Sequence, residues 1–254
     1  MKAKKSFGQH FLIDNDAVAE IVKNFNALNK TTNALEVGPG MGVLTKLLYE
    51  SYPNMVAVEA DKDMTAYLRK NFIRLNLTEG DFLKEDIKNL MGDQPFGLVG
   101  NFPYNISSQI VFKMLENKDL IPVMVGMFQK EMADRIIAPP GSKTYGVISV
   151  LTQAYYEGTL LLNLKPSAFD PPPKVDSAVI ALIRKPNPPK DYNEALFKEI
   201  VKTTFNQRRK MIRNTLKNYL PDHLLQDTFF HKRPETLSLD EFIQLTKTIK
   251  EHEP

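Results

Sequence analysis

The sequence predicts an α/β fold, a mostly parallel sheet ending in an antiparallel hairpin, followed by a small all-helical domain. Three observations carry this. Short apolar, strand-like runs alternate with helix-like segments from residue 14 to about residue 185. The last two β-rich runs are separated only by a proline-rich loop, and beyond the next proline cluster every segment reads as helix.

The elements follow in order. Asp14 can cap a helix that carries Val18, Ile21, Val22 and Phe25 on one face. Residues 34–37 read as a short buried strand, followed by glycines and a helix through Leu44, Leu47 and Leu48. Residues 55–58 form a second strand, and Asp61 opens a helix with Met64, Leu68 and Phe72 at helical spacing. Residues 75–78, 96–99 and 122–128 continue the strands, with helices after Ile106 and Gln129. Runs 159–164 and 175–183 leave no room for a crossover helix, so they are expected to be antiparallel. Lys185-Pro186-Asn187-Pro188-Pro189-Lys190 reads as a stiff linker dividing a domain over 1–185 from one over 186–254. Helices are expected there over 193–205 and 208–219, with a shorter one after Pro221. A last one is opened by the capping-box tetrapeptide Ser238-Leu239-Asp240-Glu241.

Composition narrows the function classes. A hydrophobic share of 43% and a charged share of 25% are those of a soluble globular protein. There is no run of 18 apolar residues and no apolar core after the basic start, so neither a membrane partner nor a signal peptide is expected, and the expected location is cytoplasmic. The absence of cysteine excludes disulfides, a thiolate nucleophile and a cysteine zinc site, and four scattered histidines predict no metal. The net charge of +3 is small, but it is unevenly placed. Lys198, Lys202, Arg208, Arg209, Lys210, Arg213 and Lys217 face the single acid Glu199, and Lys4 and Lys5 precede the first acid. Such patches are either solvated faces or phosphate contacts.

Four stretches carry candidate chemistry. Gly100-Asn101-Phe102-Pro103-Tyr104-Asn105 ends a buried strand, where ligands bind in open α/β sheets. The proline biases Phe102 toward an extended conformation, so that its carbonyl and the Asn101 amide can serve as two acceptors beside an aromatic ring; the alternative is a plain strand-end turn. Glu36-Val37-Gly38-Pro39-Gly40-Met41-Gly42 follows the first sheet strand. Its third glycine comes one residue early for a dinucleotide fingerprint, and Glu36 disfavours a pyrophosphate while suiting a cation. Glu59 ends the second strand about 20 residues beyond Gly38, the place of a ribose acceptor. Asp81 ends the third and can accept from an adenine amino group, although either acid could instead cap a helix. The ligand that combines adenosine, a cationic centre and no phosphate is S-adenosyl-L-methionine.

Together with Ser6-Phe7-Gly8-Gln9-His10-Phe11-Leu12 and Phe169-Asp170-Pro171-Pro172-Pro173-Lys174-Val175-Asp176-Ser177, these motifs occur in the order seen in the ribosomal RNA adenine dimethyltransferases. The chain most resembles the small-subunit branch, whose loss gives kasugamycin resistance. The resemblance runs from Lys5 to Phe242 and includes Phe205-Asn206-Gln207-Arg208-Arg209-Lys210. It implies a Rossmann-like class I methyltransferase fold. Its substrate would be N6 of two adjacent adenines in the 3′-terminal hairpin of 16S ribosomal RNA, met in a small-subunit assembly intermediate by a monomeric enzyme. Gln9, His10 and Leu12 would close over the methionine side of the cofactor, with Glu36, Gly38 and Gly40 at the glycine loop, Glu59 on the ribose and Asp81 on the adenine. Asn101, Phe102, Pro103 and Tyr104 would receive the target amine, Tyr104 and Phe169 would sandwich the base, and Lys4, Lys5, Arg208, Arg209, Lys210, Arg213 and Lys217 would contact RNA.

Phe102 departs from the leucine usual in this branch, which puts the fit of the dimethylated base in question. Alternative readings are a large-subunit antibiotic-resistance methylase and a non-catalytic assembly or RNA-binding factor. A dehydrogenase is disfavoured by the glycine spacing and by Glu36.

Overall fold

The computed structural model describes residues 9–252, so Lys4 and Lys5 lie outside the described residues. By contact the chain divides into two compact units, 1–133 with 157–184, and 134–156 with 185–254. The break after Arg184 adjoins the proline linker. Residues 134–156, which the sequence reading assigned to the first domain, associate with the second unit.

In the first unit the elements are β1 (Phe11–Leu12), α1 (Asn15–Leu28), β2 (Ala34–Val37), α2 (Val43–Ser51), β3 (Val56–Glu59), α3 (Lys62–Asn71), β4 (Asn76–Glu79), α4 (Ile87–Met91), β5 (Gly97–Asn101), α5 (Ser107–Glu116) and β6 (Val123–Gln129). The chain then passes through α6 (Lys130–Ile136) and, in the second unit, α7 (Val147–Gln153), and the first unit resumes along β7 (Tyr156–Leu164), β8 (Phe169–Asp170) and β9 (Ser177–Arg184). Seven strands form one sheet in the order β4-β3-β2-β5-β6-β9-β7. The pairs β3/β4, β2/β3, β2/β5 and β5/β6 are parallel, whereas β9 runs antiparallel to β6 with Val125 opposite Ala181. From β2 the chain lays β3 and β4 to one side and then crosses to place β5 on the other. The strand order therefore reverses between β2 and β5, and a crevice opens there beyond the strands' carboxyl ends.

Local chemistry explains the elements that flank this crevice. Asp14 accepts a hydrogen bond from Ala17 N at 3.0 Å and starts α1, which buries Val18, Ile21, Val22 and Phe25. β2 and β3 are buried along their whole length, as expected for central parallel strands covered on both faces. The antiparallel pair of β1 with β8 was not foreseen. At two residues each, these strands are too short to show periodicity.

In the second unit, α8 (Glu194–Asn206) is capped by Asn193, which accepts from Leu196 N at 3.0 Å. α9 (Leu239–Glu251) begins with the expected capping box between Ser238 and Glu241. The two helices pack through buried Phe197, Ile200 and Val201 and through Phe242, Leu245 and Ile249, with Phe205 stacked on Phe242 at 6.0 Å.

The expected helix over 208–219 is corrected to a series of turns with one 3-10 segment at Ile212–Asn214. Four cations crowd positions 208–213, and Asn214, Thr215 and Asn218 are poor helix formers. The Ile212 amide instead donates to the carbonyl of Lys232 at 2.9 Å, while Ile212, Leu216 and Leu220 are still buried. Among the described residues no helix is long and apolar enough to cross a membrane, and no group of three or more His, Asp or Glu is arranged to hold a metal ion.

Candidate active site

A cavity of about 300 Å³ lies at the strand-order reversal. That is the lower end of the ~300–1,000 Å³ typical of cofactor pockets. Its lining includes Gln9, His10, Leu12, Glu36, Gly38, Gly40, Glu59, Asp81 and Asn101, together with Phe102, Pro103 and Tyr104. Residues from four strand ends and from the beginning of the described chain thus meet in one space.

The glycine loop forms one wall. Gly38, Gly40 and Gly42 have φ of 67°, 56° and 77°, the left-handed region that only glycine enters cheaply. The loop bends across the crevice toward the β5 end: a Cβ added to Gly38 would stand 3.7 Å from Pro103. Glu59 closes the next wall. Its carboxylate accepts from Gly40 N at 3.0 Å and from Asp61 N at 2.9 Å, so it fastens the glycine loop to the end of β3. Each oxygen retains a further lone pair. Burial raises its pKa against the pull of these amide bonds.

Glu36 is fully buried and accepts from the Thr45 hydroxyl at 2.6 Å. Burial pushes its carboxyl up to about 8, with the Thr45 hydrogen bond opposing and the nearby Glu59 adding to the rise. Among the described residues neither acid has a lysine or arginine partner, and no lysine or arginine lines the cavity. Two neighbouring uncompensated carboxyls suit a cation and disfavour a pyrophosphate.

The third wall is the β5 end with the strap formed by residues 9–13. Asn101 Nδ2 donates to the His10 carbonyl at 2.9 Å, leaving its Oδ1 available as an acceptor. Gln9 Nε2 donates to Asp61 at 2.9 Å, and His10 Nδ1–H donates to the Pro171 carbonyl at 2.8 Å. The His10 ring stacks on Tyr104 with centroids 5.4 Å apart, and the Tyr104 hydroxyl lies 2.6 Å from Ser177 Oγ. Phe102 is 1% exposed, with its ring edge-on to Phe128 at 5.2 Å, so its side chain belongs to the packed interior.

Phe169 is the site residue that the structure does not bring into the lining. Side chains alternate along a strand. In β8 this puts Phe169, 2% exposed, into the apolar cluster with Leu12 and Ala168, while Asp170 faces out. Of the basic residues, Arg209, Lys210 and Lys217 are exposed. Arg208 instead donates to the Ser142 carbonyl at 3.3 Å and pairs with Glu235 at 4.0 Å, and Arg213 meets His231 at 3.3 Å.

A family model described as "Ribosomal RNA adenine dimethylase" matches residues 1–251. The chain belongs to this ribosomal RNA adenine dimethylase family. It is 49% identical over 255 residues to "Ribosomal RNA small subunit methyltransferase A" of Bacteroides thetaiotaomicron, covering 99% of this chain and 95% of that one. It is 47% identical to the protein of that name from Flavobacterium johnsoniae, covering 98% and 97%. The fold is also that of a dimethyladenosine transferase from Plasmodium falciparum, with a TM-score of 0.78 and 23% identity over 95% of this chain and 98% of that one. The 23S rRNA methyltransferase ErmE gives a TM-score of 0.70 at 24% identity over 93% and 99%.

S-adenosylmethionine is the cofactor that membership of the dimethylase family implies, and the residues present fit it. The glycine loop lets a ligand lie on bare backbone, Glu59 keeps acceptor capacity for two hydroxyls, and the uncompensated acids match a cation. Sequence reasoning missed the partners of these residues. Thr45 was signalled as a polar residue within an apolar helix face, and Asp61 as a cap after a strand. Nothing local marked Ser177 as a partner of Tyr104.

Proposed function

We propose that this protein transfers methyl groups from S-adenosylmethionine to N6 of two adjacent adenines in the 3′-terminal hairpin of 16S ribosomal RNA, giving N6,N6-dimethyladenine during small-subunit assembly, and that it acts as a cytoplasmic monomer. The observation that supports this best is the shared cavity. The acceptor loop Asn101-Phe102-Pro103-Tyr104 forms one wall of the space whose other walls carry Glu59, Asp81 and the glycine loop.

When bound, S-adenosylmethionine supplies an electrophilic methyl carbon on a sulfonium centre. Glu59 accepts from the ribose hydroxyls and Asp81 from the cofactor's adenine amino group. Asn101, its amide held by the His10 carbonyl, presents Oδ1 to one N–H of the target amine, and the Phe102 carbonyl presents a second acceptor. An exocyclic adenine nitrogen is a poor nucleophile because its lone pair is delocalised into the ring. Two acceptors favour a pyramidal nitrogen with its lone pair directed at the methyl carbon, so the rate gain is orientation and electrostatics. The nitrogen becomes acidic once alkylated and loses its proton to water, so no strong base is required among these residues.

The target base leaves its stack and lies on the Tyr104 ring, on the face that His10 now covers or on the opposite one, which offsets an unstacking cost of a few kcal/mol. Covering of its second face by Phe169 requires that ring to leave its core position. Arg209, Lys210 and Lys217 neutralise RNA phosphates.

The test supplies purified protein and labelled cofactor with under-methylated small subunits and, separately, with large subunits. N6-dimethyladenine in the small-subunit RNA is expected. Product only in the large-subunit RNA would assign the resistance-methylase reading, and no product in either would overturn the enzymatic one.

A further inference from the structure

Lys113, on α5, does not line the cavity, yet its side chain reaches back some thirty residues to the turn that carries Asp81. Its Nζ donates to the carbonyls of Leu83 at 3.0 Å and Glu85 at 2.5 Å, and it stands 5.3 Å from the centroid of the Phe82 ring. An ammonium has three donors, and two of them hold the two sides of a single turn. The third contact is a cation over an aromatic face. Lysines on a helix flank ordinarily extend their ammonium into water, whereas this one is partly desolvated against backbone.

The turn is tight and leads directly to the ligand. Asp81 accepts from Leu83 N at 3.1 Å, and Lys84 N donates to the Asp81 carbonyl at 2.8 Å. A Cβ at Gly80 would collide with the Glu85 carboxylate. Asp81 and Phe82 both line the cavity, so any rotation of this turn moves the carboxylate assigned to the adenine amino group.

We propose that Lys113 is a positioning residue for purine selectivity: by clamping the Asp81–Glu85 turn it fixes the Asp81 carboxylate where it accepts from a 6-amino purine and repels a 6-oxo purine. This rests on the reading of Asp81 as the acceptor for the cofactor's adenine. Nothing in the sequence around Lys113 marks it for this part.

The experiment is calorimetric binding of S-adenosylhomocysteine and of S-inosylhomocysteine to the full chain, as wild type, Lys113→Met, Lys113→Arg and Asp81→Asn. Wild type is expected to prefer the adenine compound by about tenfold or more, the value of one well-made hydrogen bond to a charged group. Lys113→Met keeps the apolar stem but loses the clamp and should reduce the preference at least threefold. Lys113→Arg, whose fork can span both carbonyls, should restore it. General loosening of the fold would weaken both ligands alike and leave their ratio unchanged. A wild-type ratio in Lys113→Met alongside a lost ratio in Asp81→Asn would overturn the proposal while sparing the adenine assignment. A ratio unmoved in Asp81→Asn would overturn the assignment and the proposal with it. Should Lys113→Met fail to fold, Lys113→Gln serves in its place, with the same outcomes.

Discussion

The ring of Phe102 rests on the bare Cα of Gly126, on the neighbouring strand. A Cβ built at Gly126 would collide with the ring, one at Gly100 would approach it to 2.8 Å, and Phe128 closes it edge-on. The aromatic side chain at position 102 is therefore accommodated within the sheet, where two glycines leave room for it. Gly126→Ala should cost about 1–3 kcal/mol by overpacking. Phe102→Leu alone should cost about 1 kcal/mol and, in the double variant, recover part of the Gly126→Ala loss, as read from denaturant midpoints. Because the ring is 1% exposed, Phe102→Leu should leave the ratio of mono- to dimethyladenine unchanged; a shifted ratio would show that the ring reaches the base.

Glu36 makes stability depend on pH. Its folded pKa of about 8 lies above the ordinary 4.5, so the folded state holds a proton that the unfolded state releases. Its contribution is fully present below about pH 4.5 and is lost as the pH rises to about 8. Glu36→Gln should unfold at about the wild-type denaturant concentration near pH 5 and be the more stable protein near pH 9. A cationic ligand should also draw the proton off. Calorimetry in buffers of different ionisation heat should show more proton release with S-adenosylmethionine than with S-adenosylhomocysteine, and equal release would remove Glu36 from the cation's environment.

Tyr104 has two separable features, a ring face and a hydroxyl fastened to buried Ser177. Tyr104→Ala should lower kcat/KM for RNA by ~10- to 100-fold, the range of one lost base–aromatic stack. Tyr104→Phe and Ser177→Ala should each cost only a few-fold. Their effects should not add in the double variant, because either one removes the same hydrogen bond.

The basic segment divides into contacts made within the protein and contacts left for phosphate. Arg208→Ala should lower stability, since it strips a hydrogen bond from the Ser142 carbonyl and an ion pair from Glu235, whose Oε2 is buried without a hydrogen-bond partner. Arg209→Ala and Lys217→Ala should leave the unfolding midpoint in place and each reduce the salt slope of RNA binding by about 1. An unchanged slope would show these side chains to be simply solvated.

The parts legible in the sequence were those written in local patterns. Buried parallel strands read as apolar runs, Asp14 and Ser238 announced their helices, and the strand ends marked by Gly38, Glu59 and Asp81 line one cavity. The misread features were set by distant groups. Residues 208–219 carry an apolar stripe at helical spacing, yet the Lys232 carbonyl takes the Ile212 amide and like charges oppose the helix. Phe169 follows the alternation of a two-residue strand whose partner lies at the other end of the domain, so its inward orientation was invisible locally.

That strand pairing also sets an order of events. Leu12 lies opposite Phe169, and His10 is fastened to Pro171 across a sequence separation of 161 residues. During synthesis the strap leaves the ribosome first, but its partner strand emerges only after nearly all of the sheet has been made. Contacts so far apart in sequence form late, because closing the intervening loop is entropically costly. A nascent chain short of Pro171 thus has the glycine loop, Glu59 and Asn101 but no fastening for the residues that cover them. Cofactor affinity should therefore appear late in folding, once the strands as far as β7 have been made.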